Sequence, residues 1–205
     1  MGLSQVELSA SLDELAGRDP VLAAIIADIG YPPARTRPRG YETLLRTIVG
    51  QQVSVAAAAS MWLRLEQLIG ADAAPEALLG YDDEQLRACG LSRQKIGYAR
   101  SLAGLVAGGE LDLHALPDDD EAAIARLVQI RGIGRWSAEI YLLFAEGRRD
   151  IWPAGDLAVQ VQVGRWANMA ERPGEAAVRA MADAWRPHRG AVAILAWHHY
   201  NSVVI

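Results

Sequence analysis

Two glycines, Gly132 and Gly134, stand one residue apart in the segment RGIG, between two segments with helical patterning. A tight turn between helices needs positive φ angles or close backbone approach, and glycine permits both. The N–H groups at the start of the second helix then lack helical partners and can hold a DNA phosphate. With the apolar Ile133 between the glycines and Arg135 beside them, we interpret the segment as a helix-hairpin-helix that binds the DNA backbone. An ordinary helix–helix turn is the alternative.

Carbonyl groups at the end of the first helix of this hairpin offer a second binding possibility. The last carbonyls of a helix have no intrahelical partner. We expect those of Val128, Ile130 and Ile133 to be able to hold a monovalent cation, Na⁺ or K⁺, that bridges to the phosphate. No cofactor is expected to be required.

Nearly every other segment also has the pattern of a helix, with recognisable start and stop signals. Asp19 followed by Pro20 predicts a helix start, Ser54 and Ser92 are predicted N-caps, and most of the predicted helices end at a glycine. The alternating stretch DLAVQVQV is too isolated to pair as a strand, and it begins with a cap-like Asp156. We therefore predict an all-α fold of about ten helices.

Composition narrows the class of protein further. The 205 residues carry a net charge of −5 and a single cysteine, Cys89. One cysteine excludes a disulfide framework, a cysteine-bound zinc site and a four-cysteine iron–sulfur cluster. No apolar run has the length of a membrane span, and we expect a cytoplasmic protein. His188, His198 and His199 lack the spacing of a metal site, since adjacent residues of a helix do not share a face.

Several motifs, in order, carry a resemblance to a known family. The segment LVQIRGIGRWSAEIYLL, followed by WPAGDLAVQ, resembles the helix-hairpin-helix–Gly/Pro–Asp superfamily of DNA glycosylases, and within it the alkylbase enzymes of the DNA-3-methyladenine glycosylase II type. YETLLRTIVGQQVSVAAAASMWLRL resembles the helices that carry the family's DNA wedge. GLSRQKIGYARSLA and AWRPHRGAVAILAW resemble its next helix pair and its C-terminal segment. The likeness covers residues 19–200.

The resemblance implies a fold and a partner. It implies one glycosylase unit over residues 1–205, without an iron–sulfur cluster, built of two helical lobes that face each other across a cleft. We expect the middle lobe at 41–135 and the terminal lobe at 1–40 and 136–205. The implied partner is double-stranded DNA that contains damaged bases, and we expect a monomer with no membrane association, acting on the bacterial nucleoid.

The resemblance also implies that Asp156 is the catalytic aspartate. Cleavage of an N-glycosidic bond builds positive charge on the sugar, which a fixed carboxylate stabilises. The same group can orient or deprotonate the attacking water. Asp156 equally suits a helix N-cap, and both roles are compatible.

Trp136 indicates the type of reaction. Members of the superfamily that also nick the strand have a Schiff-base lysine at this position, whereas the only lysine here is Lys95. The resemblance therefore implies a monofunctional glycosylase that leaves an abasic site. Trp136 and Trp197 are expected to line a pocket that stacks on a cationic base. Where some relatives have a pocket tyrosine, this chain has Ile140, with Tyr141 beside it.

A flipped-out base leaves a gap in the duplex that a wedge must fill. By the resemblance, Gln51, Gln52, Val53 and Ser54 form the DNA-contacting wedge turn. Gln52 stands at the family's wedge position, and Val53 is the alternative plug. Outside this turn, Arg189 is either a phosphate contact or a solvated helix end.

The implied activity is hydrolysis of alkylated purines, of the 3-methyladenine and 7-methylguanine type, in base excision repair. One alternative is a glycosylase for deaminated or mismatched bases. Another is a non-catalytic helix-hairpin-helix DNA-binding module. Asp156 distinguishes the enzymes from the module, because a carboxylate near DNA repels phosphate and has no use in simple binding.

Overall fold

The computed structural model describes residues 2–203, and over that range it contains helices and no strands. The all-α prediction is confirmed. The α-helices are α1 (Gln5–Ala16), α2 (Pro20–Ile29), α3 (Tyr41–Gly50), α4 (Val55–Ile69), α5 (Pro75–Leu79), α6 (Asp83–Ala88), α7 (Arg93–Ala107), α8 (Asp120–Leu127), α9 (Arg135–Tyr141), α10 (Leu157–Trp166), α11 (Glu175–Met181) and α12 (Arg189–Val203). A π-helix (Leu142–Glu146) and a 3₁₀-helix (Ala182–Trp185) complete the described chain.

The chain divides into two compact units. The terminal unit comprises Met1–Arg37 and Leu142–Ile205, and the middle unit comprises Pro38–Tyr141. The second boundary thus falls after Tyr141, whereas the predicted lobe ended at 135. Helix α9 belongs with the middle unit because Tyr141 is buried there, where its hydroxyl accepts a hydrogen bond from the Gly40 N–H at 2.8 Å.

Local signals set the helix boundaries of the middle unit. Ser54 and Ser92 cap α4 and α7 through their hydroxyls, as predicted, by accepting from the amides of Ala57 and Lys95. The apolar face of α3, which includes Leu44, Leu45 and Ile48, is fully buried. Helix α3 packs on α4 and α7. These contacts position the turn between α3 and α4.

The helix predicted to follow the hairpin changes type part-way. Helix α9 ends at Tyr141, and the next five residues form the π-helix. π-Helical turns are rare in proteins, and those that do occur often lie at functional sites. Within the terminal unit, the Phe144 carbonyl accepts from the Arg37 N–H at 2.8 Å.

The terminal unit is built around α12, which contacts α1, α2 and α10. The stretch DLAVQVQV forms the start of α10 with Asp156 as its N-cap, so the prediction of a helix is confirmed. Three tryptophans, Trp152, Trp166 and Trp185, make edge contacts at centroid distances of 5.4 and 6.4 Å. Among the described residues no helix is long and apolar enough to cross a membrane.

Candidate active site and DNA-binding turns

The hairpin turn, residues 131–134, joins α8 to α9 and needs a glycine at Gly132. This residue has φ +83, and a Cβ placed on it would lie 2.2 Å from the Tyr98 ring. The left-handed conformation is costly for residues with a Cβ. The neighbouring Arg131 N–H donates to the Ser101 hydroxyl at 3.1 Å. Gly132 is therefore required by the fold, which packs the turn directly on α7.

Gly134 is a glycine for a different reason. Its φ lies outside the left-handed region, and a Cβ there would meet no heavy atom within 4 Å. Its carbonyl accepts the first helical bond of α9, from the Ala138 N–H at 3.0 Å, which makes Gly134 the N-cap residue. Gly134 is also exposed. The fold leaves open space beside this backbone, as close approach of a ligand would require.

Arg135, predicted to contact DNA, is paired within the protein. Its Nε donates to the buried Glu139 at 2.9 Å, and its two Nη groups donate to the Glu121 carboxylate. The hydrogen bonds to Glu121 raise the pKa of Arg135 above its ordinary value, because they favour the charged form. The guanidinium therefore ties α8 to α9, and its charge is offset by two carboxylates.

The wedge turn, residues 50–54, is exposed at its tip and strained there. Gln52 is exposed and has φ +56, a conformation that costs a residue with a Cβ about 1–2 kcal/mol. Val53 has 39% of its surface exposed. Gln51, in contrast, turns its amide toward the hairpin, where Nε2 donates to the Gly132 carbonyl at 2.8 Å.

In the terminal unit, three N–H groups converge on one oxygen of Asp156. Its Oδ1 accepts from the amides of Ala158 at 2.9 Å and Val159 at 3.1 Å. The indole Nε1 of Trp197 donates to the same oxygen at 3.0 Å. Asp156 is thus a helix N-cap, as its position predicted, and these three uncharged donors orient its Oδ1.

Trp197 connects this carboxylate to a shallow pocket of the terminal unit. Its ring lies 5.6 Å from that of Phe144, tilted by 33°. The pocket is lined by Pro32, Pro33, Arg35, Phe144, Ile194, Trp197 and His198. Phe144 comes from the π-helix, so the change of helix type sets the place of the aromatic side chain beside Trp197.

Comparison with protein families identifies the superfamily. Residues 45–187 match the model described as HhH-GPD superfamily base excision DNA repair protein. This range includes the wedge turn, the hairpin turn and Asp156. The chain belongs to this superfamily.

Individual relatives resemble most of the chain. A relative from Schizosaccharomyces pombe, DNA-3-methyladenine glycosylase 1, is 30% identical over 190 residues, which are 89% of this chain and 83% of the relative. A crystal structure of DNA-3-methyladenine glycosidase from Bacillus halodurans superposes with a TM-score of 0.87 at 31% identity, covering 95% of this chain and 90% of that one.

A second solved structure was determined with DNA. It is a 3-methyladenine DNA glycosylase from S. pombe in complex with abasic DNA, with a TM-score of 0.78 at 28% identity. The match covers 96% of this chain and 97% of that one. The likeness to proteins of this superfamily therefore extends over nearly the whole chain.

The expected pocket residues of α9 differ in their surroundings. Trp136 has 47% of its surface exposed, which is high for a tryptophan, and Ile140 is half-buried. Tyr141 is 3% exposed, and its hydroxyl accepts a hydrogen bond from the Gly40 N–H. Tyr141 is therefore part of the middle unit's core, and its role as a pocket residue stays a prediction.

Arg189 is paired with a carboxylate in the terminal unit. Its Nε and Nη2 donate to the two oxygens of Asp150 at 2.8 and 2.9 Å, and its side chain is 11% exposed. Arg186 pairs with the same carboxylate. Arg189 is thus not a solvated helix end, because it is largely buried against Asp150, and its contact with a DNA phosphate stays a prediction.

Sequence reasoning did not identify two features of the site. One is Phe144, which lies in the π-helix and contacts the ring of Trp197. The other is the bond from Gln51 to Gly132, which joins residues far apart in the sequence. No local pattern indicates either contact.

Proposed function

We propose that this chain is a monofunctional DNA glycosylase that removes alkylated purines, of the 3-methyladenine and 7-methylguanine type, from duplex DNA. The observation that carries the proposal is the Asp156 carboxylate, oriented by two α10 amides and the Trp197 indole. The names of the S. pombe and B. halodurans relatives support the same class of substrate. The S. pombe complex with abasic DNA supports the same class of product.

The reaction breaks the bond between C1′ of the sugar and the base nitrogen. The bonding electron pair leaves with the base, so a cationic alkylpurine departs neutral, and positive charge develops on the sugar. The Asp156 carboxylate stabilises that charge. Water then adds to C1′ and loses a proton to Asp156 or to solvent, which leaves a hydroxyl at the abasic site. An alkylated purine leaves readily, so no strong general acid is required.

Two tryptophans supply surfaces suited to a cationic base. Trp136 is half exposed on α9, and Trp197 lies between Asp156 and the Phe144 ring. The face of an indole attracts cations more strongly than those of the other aromatic side chains. On α9, Ile140 makes the surface beside Trp136 less aromatic than a tyrosine would, since residues four apart share a helix face. We propose that these residues select for charge rather than for one particular base.

Lys95 supports hydrolysis without strand cleavage. A lyase step needs a free amine to attack C1′. Burial lowers the pKa of Lys95, which favours the neutral amine that a lyase step needs. However, Nζ donates to the Val49 carbonyl at 2.7 Å and the residue is only 9% exposed, so this amine is not free to attack a sugar. The position that holds a lysine in strand-cutting members of the superfamily holds Trp136 here.

We propose that the hairpin turn holds a DNA phosphate and, with it, Na⁺ or K⁺. Val128 is the C-cap residue of α8, where carbonyls lack helical partners. The Ile130 carbonyl accepts from the Ile133 N–H at 3.0 Å, which leaves it a second lone pair. With the carbonyl of Ile133 these neutral oxygens fit a monovalent cation. A bound cation would supply positive charge beside the phosphate.

We place the protein, as a monomer, on chromosomal DNA in the cytoplasm. Within it, the middle unit holds and deforms the duplex through its hairpin and wedge turns, and the terminal unit supplies the carboxylate. Gln52, at the exposed tip of the wedge turn, fills the gap left by the flipped base.

The test is release of free base from duplexes that carry one modified base each. We expect release from 3-methyladenine and 7-methylguanine duplexes and none from unmodified DNA. Release from uracil or hypoxanthine duplexes alone would favour the deaminated-base alternative. Tight binding without release from any duplex would favour a non-catalytic module.

Borohydride trapping examines the absence of a lyase step. Borohydride reduces a Schiff base between an amine and the sugar to a stable covalent adduct. We expect no adduct under conditions that release base, and the abasic strand should remain uncut. A protein–DNA adduct would contradict the monofunctional assignment.

A further inference from the structure

One side chain joins the two turns through which the middle unit is proposed to handle DNA. Gln51 lies in the wedge turn, and its Nε2 donates to the carbonyl of Gly132 in the hairpin turn at 2.8 Å. The two residues are 81 positions apart in sequence. The side chain that the sequence indicated as a DNA contact is thus engaged with the protein itself.

The acceptor of this hydrogen bond is held firmly. Gly132 packs against the Tyr98 ring so closely that a Cβ would overlap it. The preceding residue, Arg131, donates its N–H to Ser101. Tyr98 and Ser101 both belong to α7, and residues three apart lie on one face of a helix. The hairpin turn is therefore fixed to that face of α7.

The same helix also restrains the start of the wedge turn. Lys95, three residues before Tyr98, donates from Nζ to the Val49 carbonyl at 2.7 Å. Val49 lies in the last turn of α3, where carbonyls lack helical partners. At the other end of the wedge turn, the Ser54 hydroxyl accepts from the Ala57 N–H and begins α4.

Between these restraints lies the strained residue Gln52. A residue with a Cβ persists at positive φ only where its surroundings determine its conformation. Gln51 is its immediate neighbour, and the hydrogen bond from Gln51 to the Gly132 carbonyl ties the wedge turn directly to the hairpin turn. Without this bond, the restraints on the turn are those at Val49 and Ser54, and the tip is held less firmly.

We propose that Gln51 is a positioning residue that holds the wedge at a fixed distance from the hairpin turn. Phosphate binding at the hairpin then places Gln52 against the base stack, because the two turns move as one body. This inference rests on the proposed function, since it concerns how that reaction's substrate base is displaced.

Three variants of Gln51 examine the proposal. Gln51→Met keeps the length of the side chain and removes the donor. Gln51→Glu keeps the shape and places a carboxylate against the Gly132 carbonyl. Gln51→Ala removes the side chain. The matched control is Gln67→Ala, an exposed glutamine in the last turn of α4.

Single-turnover release of 7-methylguanine measures the rate of base removal. The fluorescence of a 2-aminopurine placed beside that base measures the rate of base flipping. We expect each Gln51 variant to slow base release and base flipping about fivefold, the effect of losing one hydrogen bond. The affinity for undamaged duplex should change less than threefold, and Gln67→Ala should behave as wild type. Amide hydrogen exchange at residues 50–54 should quicken in Gln51→Met, with the melting temperature nearly unchanged.

Combination with Gln52→Ala separates positioning from direct DNA contact. If Gln51 acts through the wedge, adding Gln51→Met to Gln52→Ala slows release no further. If the two losses multiply, or if affinity for undamaged DNA falls as much as release, Gln51 contacts DNA and the proposal is wrong. Unchanged release in all three variants would also overturn it. A wild-type protein that releases no base would instead contradict the proposed function.

Discussion

The terminal unit contains the same arrangement twice, an aspartate that caps a helix and accepts from a tryptophan. At Asp156, Oδ1 accepts from the amides of Ala158 and Val159 and from the Trp197 indole. At Asp19, Oδ1 accepts from the amides of Val21 and Leu22. The indole of Trp185 donates to the other oxygen of Asp19, Oδ2, at 3.0 Å.

The difference between the two lies in which oxygens accept the capping and indole hydrogen bonds. The capping and indole contacts of Asp19 take up both of its oxygens, whereas the corresponding three contacts of Asp156 all involve Oδ1. A cap-and-tryptophan pair is therefore not by itself evidence of catalysis. What sets Asp156 apart is that both capping amides and the indole donate to the same oxygen, and that the indole belongs to Trp197, which lines a pocket with Phe144.

The largest expected effect distinguishes these two aspartates by activity. Asn caps helices about as well as Asp, so Asp156→Asn and Asp19→Asn should both remain folded. We expect Asp156→Asn to slow single-turnover base release about a thousandfold or more, because the charge that stabilises the sugar cation is gone. Asp19→Asn should release base at the wild-type rate.

Stability measurements on the same positions provide the control. Asp156→Ala and Asp19→Ala should each lower the free energy of unfolding by about 1 kcal/mol, the cost of a lost N-cap. Urea denaturation followed by circular dichroism measures this. If Asp156→Asn and Asp19→Asn slow release equally, the comparison fails and Asp156 has only a structural role.

A second, smaller effect concerns the pair of glycines in the hairpin turn. Gly132→Ala should destabilise the protein by about 2–5 kcal/mol, from positive φ and overlap with Tyr98. Gly134→Ala should cost less than about 1 kcal/mol, since only a weak N-cap is lost. Its methyl group should nevertheless weaken binding to duplex DNA about tenfold by obstructing close backbone approach.

Fluorescence anisotropy with a labelled duplex measures the affinity, at one stated salt concentration because phosphate binding depends on salt. The matched variant is Gly97→Ala, inside α7, where a Cβ would also meet no atom within 4 Å. If Gly134→Ala binds DNA as tightly as Gly97→Ala, the open space at Gly134 serves no ligand.

Features encoded within a few residues were predictable from the sequence. The caps at Asp19, Ser54, Ser92 and Asp156 each need only the amides two or three positions later. The hairpin and the position of Trp136 follow from a contiguous motif. These signals were sufficient to predict the all-α class, whereas the catalytic role of Asp156 was implied by the resemblance to the glycosylase superfamily.

Features that depend on distant partners were not predictable. Arg135 and Arg189 have the charge of phosphate contacts, and only the folded chain places carboxylates against them. Tyr141 has the ring of a pocket residue, yet its hydroxyl is bonded to Gly40. In each case the side chain's chemistry suits two roles, and tertiary packing decides between them.

The smallest expected effect distinguishes the two tryptophans that donate to the aspartates. Trp197→Phe keeps an aromatic ring near Phe144 but removes the donor to Asp156 Oδ1, and Trp185→Phe does the same at Asp19. Loss of one hydrogen bond is worth about 1 kcal/mol, so we expect Trp197→Phe to slow base release about fivefold. Trp185→Phe should leave release unchanged and lower the free energy of unfolding by about 1 kcal/mol. Single-turnover kinetics at saturating enzyme separates this loss of orientation from weaker binding. If both variants release base at the wild-type rate, the α10 amides alone suffice to orient Asp156, and the indole matters only as a stacking surface.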